Sequence, residues 1–175
     1  MDKMYKAIRE VDEDHIITFE GCWMFDNLPD PKKYGWNNVM YEFHLYNWMN
    51  DYISNDLFYA YNFLTWMKSD YDVPRFIGEF TLFDDKEEWV KWLNEYDARG
   101  LNWTIWSYKT ICVGWWDMSW GIYIYKMNLQ NEQLKLDVRT ATYDEIKAVW
   151  SKQGTSETYK DTGVLKEALD EYFKK

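Results

Sequence analysis

The chain has 175 residues, a net charge of −10 and an aromatic content of 21%. That length suffices for a buried core, and the acidic balance argues against nucleic acid and anionic membrane as partners, since both require a basic face. No apolar run is long enough to span a bilayer, and two cysteines and two histidines without metal-ligand spacing argue against a structural zinc site.

In chain order, the charged start, Met1-Asp2-Lys3-Met4-Tyr5-Lys6, lacks the apolar centre of a signal peptide. This leaves a cytoplasmic protein, a mature form or a fragment, and the compartment is left open. Residues 3–11 read as the end of a helix, with Met4, Ile8 and Val11 on one face. Asp12-Glu13-Asp14 breaks it. His15 to Gly21 reads as a first strand ending in Glu20-Gly21, and residues 22–37 as a loop carrying Trp23, Pro29, Pro31, Gly35 and Trp36. Asn38 to Tyr46 reads as a second strand, followed by helical spacing over residues 52–69.

Val73 to Phe80 reads as a third strand. Pro74 stands at its start, where no ladder donor is lost. Gly78 lets something approach the backbone closely, and Glu79 places a carboxylate at the rim of a core. A charge there needs partners or solvent: it is either functional or simply marks the strand's exit into water. Lys86 to Arg99 is a strongly amphipathic helix, capped by Asp84 or Asp85 and stopped by Gly100. Leu101 to Ser107 reads as a fourth strand.

Beyond it, the reading is a Trp- and Gly-rich loop over 108–122, a small hairpin around Gln130-Asn131, a helix from Tyr143 to Trp150, a polar linker over 151–162 and a terminal helix from Gly163 to Phe173. The pairing of Cys22 with Cys112 is left open.

Strand and helix alternate without hairpin signals between the first four strands, the pattern of parallel βαβ units. The strands start about 30 residues apart, close to the spacing of a (β/α)8 barrel, which spends roughly 250 residues on eight units. Only four units are present. The fold class expected is therefore α/β, one half-barrel domain over 1–175, with four βα units in 1–110 and a tail of aromatic loop, hairpin and helices in 111–175. Twelve Trp exceed what such a core requires. Aromatic faces beside carboxylates suit uncharged sugars, although a core or an oligomer interface uses the same residues.

These motifs resemble glycoside hydrolase family 5. Ala7-Ile8-Arg9 with Val11-Asp12, His15-Ile16-Ile17 and Phe19-Glu20-Gly21 is similar to the family's fifth unit. His44-Leu45-Tyr46 is similar to the His-x-Tyr of its sixth strand, Gly78-Glu79-Phe80 to the seventh-strand end that carries the nucleophile, and Trp103 to Lys109 to the eighth strand with its sugar-stacking Trp. The resemblance covers about residues 5–110, and the tail to about residue 150 is compatible with it. The family's first four units have no counterpart. The Asn-Glu-Pro whose Glu is the acid/base occurs nowhere in the sequence, Asn94-Glu95 and Asn131-Glu132 both lacking the Pro.

The resemblance implies a retaining β-glycosidase of cellulase or β-glucanase type acting on β-linked oligo- or polysaccharide without cofactor or metal, its members often being secreted. Glu79 would be the nucleophile, with His44 and Tyr46 beside it holding it ionised, Trp106 stacking a sugar ring and Trp23 also lining the substrate site. His44 also reads as a satisfied core histidine, and Trp106 as core. Glu20 is the acid/base candidate. Two strand steps put its backbone roughly 10 Å from that of Glu79, which suits an inverting pair better than a retaining one. Glu42, two residues before His44, is expected to pair with a cation such as Arg75, and Asp26 is loop-borne.

A half-barrel leaves two strand edges. A homodimer, capping by the tail, or a missing N-terminal half-barrel would cover them. In a symmetric dimer the partner's last strand would end near Trp106-Ser107 and bring no carboxylate. A non-catalytic saccharide-binding or self-associating half-barrel is the alternative reading.

Overall fold

The alternation of strand and helix is realised as an open parallel sheet. The computed structural model describes residues 1–21, 27–47, 52–68, 71–83, 85–113, 121–127, 136–151 and 159–174. They fall into two compact units, Met1–Leu82 with Trp92–Ile105, and Phe83–Lys91 with Trp106–Lys175.

The first unit holds α1 (Asp2–Arg9), β1 (Ile17–Gly21), β2 (Val39–Tyr46), α2 (Tyr52–Lys68), β3 (Arg75–Thr81), the second half of α3 (Lys86–Ala98) and β4 (Asn102–Trp103). The four strands are parallel, in the order β1-β2-β3-β4. Among the described residues β1 and β4 are edges and the sheet does not close: it is half of a TIM-type barrel. The expected fourth strand, Leu101–Ser107, shortens to Asn102–Trp103. As an edge strand it pairs on one side only, and the ladder is carried one step further by Thr104 N–H donating to the Ile77 carbonyl at 2.8 Å.

Local chemistry fixes each connection. The Arg9 guanidinium, near the end of α1, donates to four backbone carbonyls: Asp12 and His15 at 3.1 and 2.9 Å, and Asn37 and Asn38 at 3.1 Å each. It thus ties α1 to the starts of β1 and β2. Asp12 accepts the N–H groups of His15 and Asp14. These bonds, with the His15 side chain, hold its carboxyl down to about 2. Trp36 is buried, stacked on Phe19 at 4.6 Å and Tyr34 at 4.9 Å, with its indole N–H on Asp2. This loop Trp therefore belongs to the core.

α2 and α3 meet through aromatics. Trp92 stacks on Tyr59 at 4.3 Å and lies 5.9 Å from Phe63, while Tyr96 meets Phe80 of β3 edge-on at 5.1 Å. Asp85 begins α3 as expected, its Oδ1 accepting Glu88 N–H at 3.0 Å. Asp84 lies outside the described residues. Gly100, at φ +65°, ends the helix in the left-handed conformation that glycine adopts without strain.

The second unit contains β5 (Lys109–Val113), β6 (Tyr123–Met127), α4 (Tyr143–Trp150), β7 (Lys160–Asp161) and α5 (Val164–Tyr172). β5 pairs with β6 in parallel, and β6 with β7 antiparallel. β5 and β7 correct the reading of 108–122 as loop and 151–162 as linker. The turn expected at Gln130-Asn131 lies outside the described residues, as does Cys22. The side chain of Cys112 is not described either. α4 begins on a capping box: Thr142 and Glu145 exchange side-chain-to-backbone bonds. Among the described residues no helix is long and apolar enough to cross a membrane.

Candidate active site

Alternation puts Glu42, His44 and Tyr46 of β2 on one face of the sheet. The other face of β2 carries Tyr41, Phe43 and Leu45, all buried, with Phe43 near Trp66 of α2. The parallel register makes Glu20 of β1 the partner of Glu42, so Glu20 shares the first face.

On β3 simple alternation would fail. Phe76 pairs with Glu42 and Ile77 with Phe43, but His44 pairs with Glu79 because the register shifts between Phe43 and His44. Gly78 is the extra residue of a β-bulge. Counting by two from Phe76 reaches Gly78 and Phe80. The bulge moves the count by one, so Glu79 joins the face of His44 while Phe80 turns to the helices and is fully buried. The Thr104 hydroxyl, on the next strand's extension, caps the Gly78 carbonyl.

Four of the side chains singled out in the sequence meet on this face. The Tyr46 hydroxyl donates to Glu79 Oε2 at 2.7 Å. His44 Nδ1 lies 3.4 Å from Glu79 Oε2 and 3.4 Å from Glu20 Oε1. Those two oxygens are therefore no more than twice that distance apart. The upper bound lies just inside the inverting range of about 6.5–9.5 Å, and the retaining separation of about 5–5.5 Å falls within it. Backbone spacing alone suggested a wider gap. The side chains close it by converging on the imidazole of the strand between them.

Glu42 corrects a further expectation. Its Oε1 lies 3.4 Å from His44 Nε2. Arg75, the expected partner, is in register with Tyr41 and so belongs to the helix face, where it donates to the Trp66 carbonyl at 3.1 Å and stacks on the Trp66 ring at 4.5 Å. Neither the bulge nor the Glu42–His44 contact was read from the sequence. The glycine beside Glu79 was the available signal for the bulge.

Tyr46 is held from the chain's other side as well. Asn47, next to it, donates to Ser54 Oγ at 2.9 Å and Asn55 Oδ1 at 2.7 Å, fastening the strand end to the first turn of α2. Burial first, and then the bond to Glu79, pushes the Tyr46 phenol well above its ordinary value. It therefore stays a donor to Glu79 across the range in which proteins work. A phenol raised in the folded state contributes stability that is complete below its unfolded value near 10 and is lost as pH rises through the folded value. Between about pH 10 and 12 the wild-type protein should thus lose stability faster than Tyr46→Phe, by up to about 1.4 kcal/mol per pH unit. Urea melts at stepped pH measure the difference, and parallel curves would show that the phenol is not sheltered.

Of the remaining candidates, Trp106 belongs to the second unit, where it is about half exposed. Trp23 and Asp26 lie outside the described residues. No group of three or more His, Cys, Asp or Glu among the described residues is placed to hold a metal ion.

A carboxylate carried to the C-terminal end of a parallel strand by a bulge, and held there by a tyrosine and a histidine from its neighbour, is where barrels of this kind keep their chemistry. Comparison with known proteins agrees over the same stretch: the family model for cellulase, glycosyl hydrolase family 5, matches residues 1–110. Neither the curated proteins nor the solved structures gave a match. The family match takes in the whole parallel sheet and more than half of the sequence, and on that ground the chain belongs to glycosyl hydrolase family 5, the cellulases.

Proposed function

We propose that the chain is the nucleophile-bearing half of a retaining β-glycosidase site for β-linked oligo- or polysaccharide, with Glu79 as nucleophile. One observation carries this reading. Both contacts to the Glu79 carboxylate fall on Oε2, from Tyr46 at 2.7 Å and His44 at 3.4 Å. Oε1 has no partner among the described residues. An attacking carboxylate needs this arrangement, one oxygen fixed and the other available to the anomeric carbon.

In this scheme Oε1 bonds to the anomeric carbon as the glycosidic bond breaks and its electron pair leaves with the departing oxygen. An acid protonates that oxygen, and water then releases the sugar. Glu20 is the acid/base within this chain. The position of the family's Asn-Glu-Pro would come from an N-terminal half-barrel, for which the edges at β1 and β4 provide pairing surfaces.

A glycoside with a dinitrophenolate leaving group tests the nucleophile directly, because that group departs without protonation. Dinitrophenyl β-cellobioside should give a burst of about one dinitrophenolate per chain and a covalent adduct on the peptide containing Glu79. Glu79→Gln should give neither, and release unchanged in that variant would overturn the assignment. Absence of release, together with quenching of Trp fluorescence by cello-oligosaccharide, would favour the non-catalytic binding reading.

A further inference from the structure

We propose that Glu42 is a positioning residue, seated in the space left by the missing side chain of Gly78 and holding the His44 ring with Nε2 toward itself and Nδ1 toward Glu79. Its functional consequence rests on the reading of Glu79 as nucleophile, but its geometry does not.

Two independent features converge on it. The first is the contact: Glu42 Oε1 faces His44 Nε2 at 3.4 Å, while Nδ1 faces Glu20 and Glu79 at the same distance. On this proposal the ring hydrogen sits on Nε2, where the Glu42 oxygen accepts it. Turning the ring over would give up that bond, and the ring therefore keeps its orientation. The Glu42 side chain is 27% exposed. A carboxylate so sheltered is retained at a cost unless it is hydrogen-bonded.

The second feature is the space itself. A Cβ at position 78 would lie 1.8 Å from Glu42 Oε1, 2.6 Å from its Cδ and 2.8 Å from its Cγ. The carboxyl group thus occupies the place of a side chain on the adjacent strand. Gly78 is also the bulge residue that turns Glu79 onto this face. One glycine therefore does two things: it re-aims the proposed nucleophile, and it admits the carboxylate that orients the histidine beside it.

The 175-residue sequence has two histidines, so His15→Gln leaves a single imidazole to observe. In the ¹⁵N-labelled protein at neutral pH, His44 Nε2 should show a protected ring N–H. Among the described residues, the charged groups facing the ring are Glu42 on its own strand, Glu20 on β1 and Glu79 on β3. Glu42→Ala should abolish the signal while the Trp indole spectrum and the melting temperature stay near wild type. Glu42→Gln, whose amide oxygen still accepts the N–H, should restore it. Gly78→Ala, whose methyl takes the carboxylate's place, should abolish it again. A ring N–H unchanged in Glu42→Ala, or one that survives Gly78→Ala, would overturn the proposal; if Glu42→Ala does not fold, the Gly78→Ala and Glu42→Gln pair decides. In the dinitrophenyl glycoside assay the burst of Glu42→Ala should slow by at least about tenfold. A wild-type chain with no burst would refute the nucleophile and leave the ring signature to judge Glu42 separately. A burst unchanged in Glu42→Ala while the signature is lost would refute the positioning role alone.

Discussion

Replacing Trp92 with alanine should destabilise the protein by about 3–5 kcal/mol, the range for deleting a buried aromatic. Trp92 is 6% exposed and stacks on Tyr59 of α2, which is fully buried. It also lies 5.9 Å from Phe63, which meets Tyr96 edge-on at 6.3 Å. The loss removes both apolar area and a stacked pair worth about 0.5–1.5 kcal/mol beyond that area. The cavity cannot collapse freely, because the surrounding rings are held by two helices and β3. With total stabilities of 5–15 kcal/mol as the rule, this is a large fraction of the whole. At a urea dependence of about 1–3 kcal/mol per molar, the midpoint should fall by more than about 1 M. Trp92→Phe, which keeps a ring in the stack, should recover more than half of it. A shift corresponding to less than about 1 kcal/mol in the alanine variant would mean that α2 and α3 are joined elsewhere.

That aromatic seam also shows what could be read from the sequence. Trp89, Trp92, Leu93 and Tyr96 recur at helical spacing, and all four are buried. Asp85 and Gly100 bound the helix because capping and left-handed termination are properties of single residues, visible without any knowledge of neighbours. The four parallel strands were legible for a related reason: strand, loop and helix lengths repeat about every 30 residues, and few architectures use that spacing. The excess of tryptophan was less informative. Composition suggested ligand platforms, yet Trp36, Trp89 and Trp92 are all buried.

What escaped the sequence depends on register. Alternation by two is a local rule, and it assigns faces correctly along β2. It cannot report an inserted residue, because a bulge is defined by the partner strand. Gly78 was read as a close backbone approach without knowing what approaches. The register supplies the answer, the Glu42 carboxylate. Arg75 is the cation expected beside Glu42, whereas its register with Tyr41 puts it on the other face of the sheet. β5 was missed beneath a Gly- and Trp-rich composition, although Thr110-Ile111-Cys112-Val113 is a run of strand-forming residues. β7, with two residues, is too short for any pattern to show.

Glu79→Gln should lower the rate of the dinitrophenyl glycoside burst by about 10³ or more, the scale on which removing a covalent nucleophile acts. The amide keeps the volume and can still accept from Tyr46, so the loss reports chemistry rather than folding. The leaving group then separates the two carboxylates. Dinitrophenolate departs unaided and needs Glu79 alone. An alkyl β-glycoside needs a proton on its oxygen, and general acid catalysis is worth about 10²–10⁴. If Glu20 is that acid, Glu20→Gln leaves the dinitrophenolate burst intact and suppresses alkyl glycoside cleavage by this factor. It also slows release of the sugar from Glu79, because the same residue must then activate water. Adduct should therefore accumulate in Glu20→Gln. If both substrates respond alike to Glu20→Gln, Glu20 is not the acid. The convergence of Glu20 and Glu79 on His44 Nδ1, each at 3.4 Å, makes the first outcome the expected one. On the proposed roles, that convergence would bring the acid and the nucleophile to a single glycosidic bond.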